Sequence, residues 1–190
     1  MAGWSNEGVL TLKRVLNVGG GAGRQLPEEY AGWKQDLLDI DPAVRPDICC
    51  DALKLTERST AKGKYDAVYC SHTVEHFYEH DVPRLFAGFK HVLRRGGAVD
   101  IAVPDVLALM RHMLLSGKDI QDEWYMSSGG PIKYHDVLYG WSLAMRSGNL
   151  YYAHKCGFTG KSLGEKLAAA GFKNIKVGSD GFNLIAKAEV

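Results

Sequence analysis

Short apolar runs alternate with amphipathic stretches along this chain. Val15-Leu16-Asn17-Val18, Leu37-Leu38, Tyr65-Asp66-Ala67-Val68-Tyr69-Cys70 and Ala98-Val99-Asp100-Ile101-Ala102-Val103 are strand-sized and mostly apolar. Runs of that kind, ending in turn residues, are typical of strands buried on both faces of a parallel sheet. They predict strands at residues 13–18, 34–40, 65–70 and 98–103, with a short one at 46–50. Helical spacing takes over at Val82, Leu85, Phe86, Phe89, Val92 and Leu93, behind Asp81 as N-cap and ahead of the stop Arg94-Arg95-Gly96-Gly97. Asp105 caps a helix predicted to reach Ser116, and Thr159 caps another over residues 161–170, ended by Gly171. Residues 26–30 leave room for only a short helix before the second strand. Residues 174–177 and 183–187 flank Ser179-Asp180-Gly181, which reads as a hairpin. The polar residues 1–11 read as a loose lead-in. Residues 118–158 show no clean period and are rich in Trp and Tyr, so they read as a functional insertion or lid. The expectation is an α/β fold in one domain, 1–190, with a mostly parallel sheet and one antiparallel strand near its end.

Composition narrows the function. The 190 residues carry 46% hydrophobic and 24% charged side chains with a formal net charge of +1, enough for one well-cored domain. There is no basic stripe to track a nucleic-acid backbone, and no apolar run approaches a membrane span. Residues 1–12 lack the basic flank, apolar region and cleavage site of a secretory signal, so a cytoplasmic protein is expected. Cys49, Cys50, Cys70 and Cys156 form no CxxC pair. They read as reduced, mostly buried thiols rather than disulfides or zinc ligands. Nothing in the sequence sets the oligomeric state.

The candidate chemistry sits at the strand ends. The first strand breaks into Gly19, Gly20, Gly21 and Gly23, a turn that lets a ligand approach the backbone. In an open α/β sheet the ligand lies over the carboxyl ends of the strands. There the second strand supplies Asp39, suited to two ribose hydroxyls, and the third supplies Asp51, suited to an adenine amino group. The glycines fit G-x-G-x-G but not the dinucleotide G-x-G-x-x-G, and no Walker lysine pattern exists.

Taken with Leu38-Asp39-Ile40-Asp41, Asp51-Ala52-Leu53 and Ser71-His72, this set resembles a class I S-adenosylmethionine-dependent methyltransferase. Ser71-His72-Thr73-Val74-Glu75-His76-Phe77, Ala102-Val103-Pro104-Asp105 and the stretches Gly157-Phe158-Thr159 and Ala170-Gly171-Phe172 narrow the resemblance to the small type-11 bacterial methyltransferases. The resemblance implies a Rossmann-like three-layer sandwich with seven strands in the order 3-2-1-4-5-7-6, strand 7 antiparallel. It implies that the backbone of Gly19, Gly21 and Gly23 holds the methionine part of S-adenosylmethionine. Asp39 takes the ribose and Ile40 lies beside the adenine. Asp51 and Ala52 meet the adenine edge, and Ser71 and His72 lie near the transferred methyl. Asn17 stands near the cofactor's amino group, where the family usually has an acid. The short segment after the glycines leaves the pocket more open, or covered by the N-terminus or a partner chain.

The implied reaction is in-line transfer of a methyl to a small-molecule acceptor, releasing S-adenosyl-L-homocysteine. His72, His135 and His154 are the candidate bases if the acceptor must lose a proton. Tyr134, Tyr139, Trp141 and Tyr152 are either acceptor-pocket residues or the small core of the insertion. His76 reads as a packed histidine holding its loop, and His91 and His112 as surface or helix residues. A rival reading takes His72-Thr73-Val74-Glu75-His76 as H-x-x-E-H, a zinc hydrolase motif with Glu75 as base and His80 extending the series. That motif needs one helix through both histidines, whereas His72 follows a strand directly, so no metal is expected. A non-catalytic S-adenosylmethionine-binding module is the remaining alternative.

Overall fold

The apolar runs form strands close to the expected positions in a computed structural model that describes residues 12–58, 61–127 and 129–190. The expected lead-in at residues 1–11 lies outside the described residues. The first five strands are β1 (Arg14–Val18), β2 (Lys34–Asp39), β3 (Ile48–Cys49), β4 (Tyr65–Ser71) and β5 (Leu93–Pro104). A separate pair follows, β6 (Glu123–Ser127) with β7 (Gly130–Lys133), and β8 (Lys173–Asp180) and β9 (Asn183–Glu189) close the chain. The large sheet has seven strands in the order β3-β2-β1-β4-β5-β9-β8. Strands β1 to β5 pair in parallel, and β9 lies antiparallel between β5 and β8. Counted within this sheet alone, that is the expected order 3-2-1-4-5-7-6 with the seventh strand reversed.

Local chemistry explains where elements stop. β3 is only two residues long, and the Leu37 N–H is taken by the Asp47 carboxylate at 2.8 Å rather than by a β3 carbonyl. Helix α1 (Val82–Val92) buries Val82, Leu85, Phe86, Phe89 and Val92, as its periodicity predicts. Asp81 makes no side-chain cap bond there, contrary to expectation; Pro83 presets the first turn instead. Asp105 does cap α2 (Val106–Ser116), accepting from Leu107 N and Ala108 N at 3.1 Å each. Residues 118–158, expected to be an irregular insertion, are more regular than their sequence suggested. Besides β6 and β7 they hold α3 (Tyr134–Tyr139) and α4 (Ser142–Arg146), elements too short to show a period. Helix α5 (Gly160–Ala169) starts in a reciprocal Thr159–Ser162 capping box.

One apolar cluster joins β1, β4 and β5 to α1 and α5, through Leu16, Val68, Val99, Ile101, Phe86, Phe89, Leu163 and Leu167. Truncating one such Phe to Ala costs about 3–5 kcal/mol. On a second cluster, Val15 and Ala67 pack under Tyr30 of a single 3-10 turn, Glu28–Tyr30, with Leu26, Trp33 and Tyr69 at its edge. This turn is the short helix expected between β1 and β2. The cysteines are all free, but only Cys70 is buried; Cys49 is exposed on the edge strand, correcting the expectation of mostly buried thiols.

At the amino end of the sheet, Asp36 accepts from Arg14 and from the Tyr65 hydroxyl at 2.7 Å each, with the Lys64 ammonium 3.0 Å away. Burial pushes this carboxyl up, but the bonds from Tyr65, Lys64 and Arg14 outweigh it and hold the pKa down to about 2. A depressed folded-state pKa stabilises the fold above the unfolded value near 3.8 and loses that contribution as pH falls through about 2. Asp36→Asn therefore lowers stability at neutral pH by about 1–2 kcal/mol. In urea unfolding followed across pH, its difference from wild type shrinks between about pH 4 and pH 2.

Candidate active site

The carboxyl ends of β1, β2 and β4 surround a cavity of about 410 Å³, within the range of small-molecule sites. Its floor is the glycine turn. Gly19 has φ 71° and Gly21 has φ 57°, backbone states that favour glycine. A Cβ on Gly19 would collide with the Thr73 side chain, and one on Gly20 with the side-chain amide of Asn17. Gly21 has open space around its missing Cβ. Gly23 does not line the cavity.

Asp39 pins this floor. Its two oxygens accept from Gly21 N at 3.2 Å and Asp41 N at 3.0 Å. Each oxygen keeps lone-pair capacity toward the cavity, because a carboxylate has about four acceptor positions. Ile40, half exposed, follows on the cavity wall. Asp51 caps a 3-10 turn, Ala52–Glu57, through one oxygen, accepting from Leu53 N at 2.9 Å; Asp51 and Ala52 both line the cavity. Arg24 closes the far side of the turn, reaching Asp47 at 2.7 Å and the Arg45 carbonyl at 2.6 Å.

Other sequence-predicted residues support the cavity without lining it. Asn17 is buried beneath Gly20 and donates to the Gln25 carbonyl at 3.4 Å. Ser71 ends β4, and its carbonyl accepts from the Thr73 hydroxyl at 3.0 Å. Thr73 also reaches the Val18 carbonyl at 3.2 Å, tying the loop after β4 to the end of β1. Sequence reasoning missed Thr73; its place in Ser71-His72-Thr73 was the available signal.

The loop after β4 sets the histidines. His72 has φ 49°, uncommon for a non-glycine residue, and lines the cavity. Val74–His76 is a single 3-10 turn, so no helix carries both His72 and His76 and the helical zinc motif is not built. His76 also lines the cavity and donates from Nδ1 to the Ala153 carbonyl at 3.0 Å. A carbonyl can only accept, so Nδ1 carries the proton. His154 packs edge-on against His76 with ring centroids 4.9 Å apart, and lines a separate small pocket with Glu75. Glu75 is buried, and its Oε1 lies 3.5 Å from His72 Nδ1. That neighbouring carboxylate raises the His72 pKa against the opposing effect of burial. Burial lowers the His154 pKa, which Glu75 only partly offsets.

His135 lies elsewhere, with Nδ1 3.4 Å from the Ser142 hydroxyl and its ring against Tyr139. Tyr134 belongs to the insertion's own core, stacked on Trp124 at 5.3 Å and bonded to His112 at 3.0 Å. His112 is thus part of an aromatic cluster with Phe182 rather than a plain surface residue. Trp141 packs on Tyr152, and of the four aromatics singled out only Tyr152 lines the cavity. Asn149, Tyr151 and Lys155 join it from the same segment, with Phe77, Tyr78 and Asp81 from the loop after β4. These were not foreseen individually, although three fall within the flagged insertion.

A profile described as "Methyltransferase domain" matches residues 9–177, and the chain belongs to that family: it is an enzyme of the methyltransferase class. No curated protein sequence matches the chain. Among solved structures, it resembles a SAM dependent methyltransferase from Archaeoglobus fulgidus at 15% identity and TM-score 0.60, covering 94% of this chain and 86% of that one. An O-methyltransferase family protein from Burkholderia thailandensis matches at 12% identity and TM-score 0.61, covering 93% of this chain and 50% of that one. The 1,6-didemethyltoxoflavin-N1-methyltransferase of Burkholderia thailandensis, solved with 1,6-didemethyltoxoflavin and S-adenosylhomocysteine, matches at 16% identity and TM-score 0.55, covering 94% of this chain and 71% of that one. Among the described residues no helix is long and apolar enough to cross a membrane.

The packing of Gly19 gives a direct test. Gly19→Ala must shift Thr73 and hold a side chain at positive φ, so it destabilises the fold by about 1–3 kcal/mol. Urea unfolding measures this; stability equal to wild type shows that the turn relaxes freely.

Proposed function

We propose that this enzyme transfers a methyl group from S-adenosyl-L-methionine to an O, N or C atom of a small-molecule acceptor, with S-adenosyl-L-homocysteine as product. The observation that carries the reading is the glycine turn fastened to Asp39 at the floor of the cavity. The residues present fit the cofactor. Gly19 and Gly21 leave backbone accessible, Asp39 has free acceptor capacity for two hydroxyls, and Asp51 faces the cavity beside Ala52 and Leu53. Charge agrees too, since Asp39, Asp41, Asp51 and Asp81 outnumber Lys155 on the wall and suit a ligand carrying sulfonium and ammonium groups.

When bound, the cofactor supplies a methyl on an excellent leaving group. The chain's own task is then to position the acceptor and exclude water. Asp39 and the backbone of Gly19 and Gly21 orient the nucleoside and methionine parts. Asn17 and Gly23 act as supports of the turn, and Ser71 as the strand end that carries Thr73. His72 stands on the wall where β4 ends, and this supports it, among His72, His135 and His154, as the histidine that serves the acceptor. The segment from Asn149 to Lys155 lines the cavity next to the loop after β4, which supports residues 118–158 as the insertion that shapes the acceptor site. A small acceptor suits a cavity of this size edged by Tyr78, Tyr151 and Tyr152.

Calorimetry with S-adenosylmethionine and S-adenosylhomocysteine tests this reading. Both bind wild type, and Asp39→Ala weakens binding more than about tenfold, the scale of a lost charged hydrogen-bond pair. A far-ultraviolet spectrum and melting curve of the variant report the turn itself. Absence of binding at high micromolar ligand overturns the proposal, and unchanged affinity in a folded Asp39→Ala moves the ribose site elsewhere.

A further inference from the structure

Behind the cavity wall, Glu75 poses an electrostatic problem. It is 1% exposed, and neither carboxylate oxygen has a hydrogen-bond partner. An unpartnered carboxylate in the interior costs several kcal/mol, so interior charges are paired or bind metals. Besides His72, whose Nδ1 lies 3.5 Å away, two further histidines face it. Glu75, His76 and His154 each present a ligand atom, and these atoms lie within 4.8 Å of one another.

The rest of each ring is arranged as metal ligands are. His76 Nδ1 is 3.0 Å from the Ala153 carbonyl, and His154 Nδ1 is 3.0 Å from the Val137 carbonyl. Both carbonyls require Nδ1–H, which leaves Nε2 of each ring as the free donor. Backbone carbonyls that fix the tautomer and angle of a ligating histidine are the usual outer shell of a metal site. The backbone closes the cluster as well: Lys155 N and Cys156 N both donate to the Glu75 carbonyl, at 2.8 and 3.2 Å, strapping the segment that bears His154 onto the turn that bears Glu75 and His76. His72 stands on the remaining side, its Nδ1 3.5 Å from Glu75.

We propose that Glu75, His76 and His154 bind one divalent transition-metal ion at the wall of the large cavity. One carboxylate with two imidazoles is a donor set for Zn²⁺, Co²⁺ or Fe²⁺ rather than Mg²⁺ or Ca²⁺, which prefer oxygen. The ion neutralises Glu75 and occupies both free Nε2 atoms. It borders the cavity through His76, with His72 alongside, so an oxygen or nitrogen atom entering from the cavity can complete its coordination. This differs from the helical H-x-x-E-H arrangement, because the second imidazole comes from residue 154 rather than residue 72.

The test uses the full chain after chelator dialysis, titrated with Co²⁺ and followed by visible d–d absorption, then challenged with Zn²⁺. No S-adenosylmethionine is present, so failure here leaves the methyl-transfer reading standing, and failure of cofactor binding leaves this site standing. One equivalent of Co²⁺ binds and Zn²⁺ displaces it. Glu75→Gln and His154→Ala each weaken binding at least about tenfold, while half-buried His91→Ala on α1 does not. X-ray absorption of the Zn²⁺-loaded wild type shows two imidazoles in the shell, a readout that needs no variant to fold. No stoichiometric Co²⁺ binding by wild type, undiminished binding in folded variants, or a zinc shell without imidazole overturns the proposal.

Discussion

Everything above the sheet depends on how one carboxylate is shared. A parallel strand that ends must find partners for backbone groups that no longer have a ladder. Asp39 supplies two of them, binding Gly21 N from its neighbour's turn and Asp41 N from its own. Its backbone carbonyl meanwhile accepts from Cys50 N at 3.0 Å. The ends of β1 and β2 and the residue after β3 are therefore fastened at one residue. Charge-assisted bonds of this kind contribute about 1.5–3 kcal/mol each. The result is a rigid floor with no long helix needed between β1 and β2, which is why the single turn Glu28–Tyr30 suffices there.

The strands and their order were legible because a parallel sheet buries both faces, and so writes its strands as continuous apolar runs. Asp39 and Asp51 were legible because a carboxylate directly after such a run has few other reasons to sit there. The division of labour among the glycines was not. Spacing alone singles out Gly19, Gly21 and Gly23, yet steric need falls on Gly19 and Gly20. The atoms that impose it, Thr73 and Asn17, are brought there by tertiary structure. Asn17 illustrates the limit: its identity suggested a weakened ligand contact, while its position beneath Gly20 shows a support for the turn.

The insertion was illegible for a different reason. Its strands and helices are four to six residues long, below the length at which a period can be read. Its aromatic residues do two jobs that look alike in sequence. Tyr134 and Trp124 form a core with His112 and Phe182, whereas Tyr151 and Tyr152 reach the cavity. Gly140 decides part of this: at φ 97° it lets its chain run against Ala153, where a side chain would strike the Tyr152 carbonyl. A glycine at this position is thus what lets the Tyr152–Ala153 backbone lie against the end of α3.

The turn after β4 serves both the cavity and the interior. His72 takes a left-handed backbone state immediately after the strand, and that reversal sends successive side chains to different sides. His72 and His76 line the cavity, Thr73 reaches back to the end of β1, and Glu75 goes into the interior. The letters H-x-x-E-H written by this stretch cannot be read as one helical face, because the backbone that carries them is not a helix. They are the two sides of one wall. The cavity side presents polar groups to the open space, and the buried side needs a charge compensated. A turn that places imidazoles between the two allows both needs to be met by the same few residues.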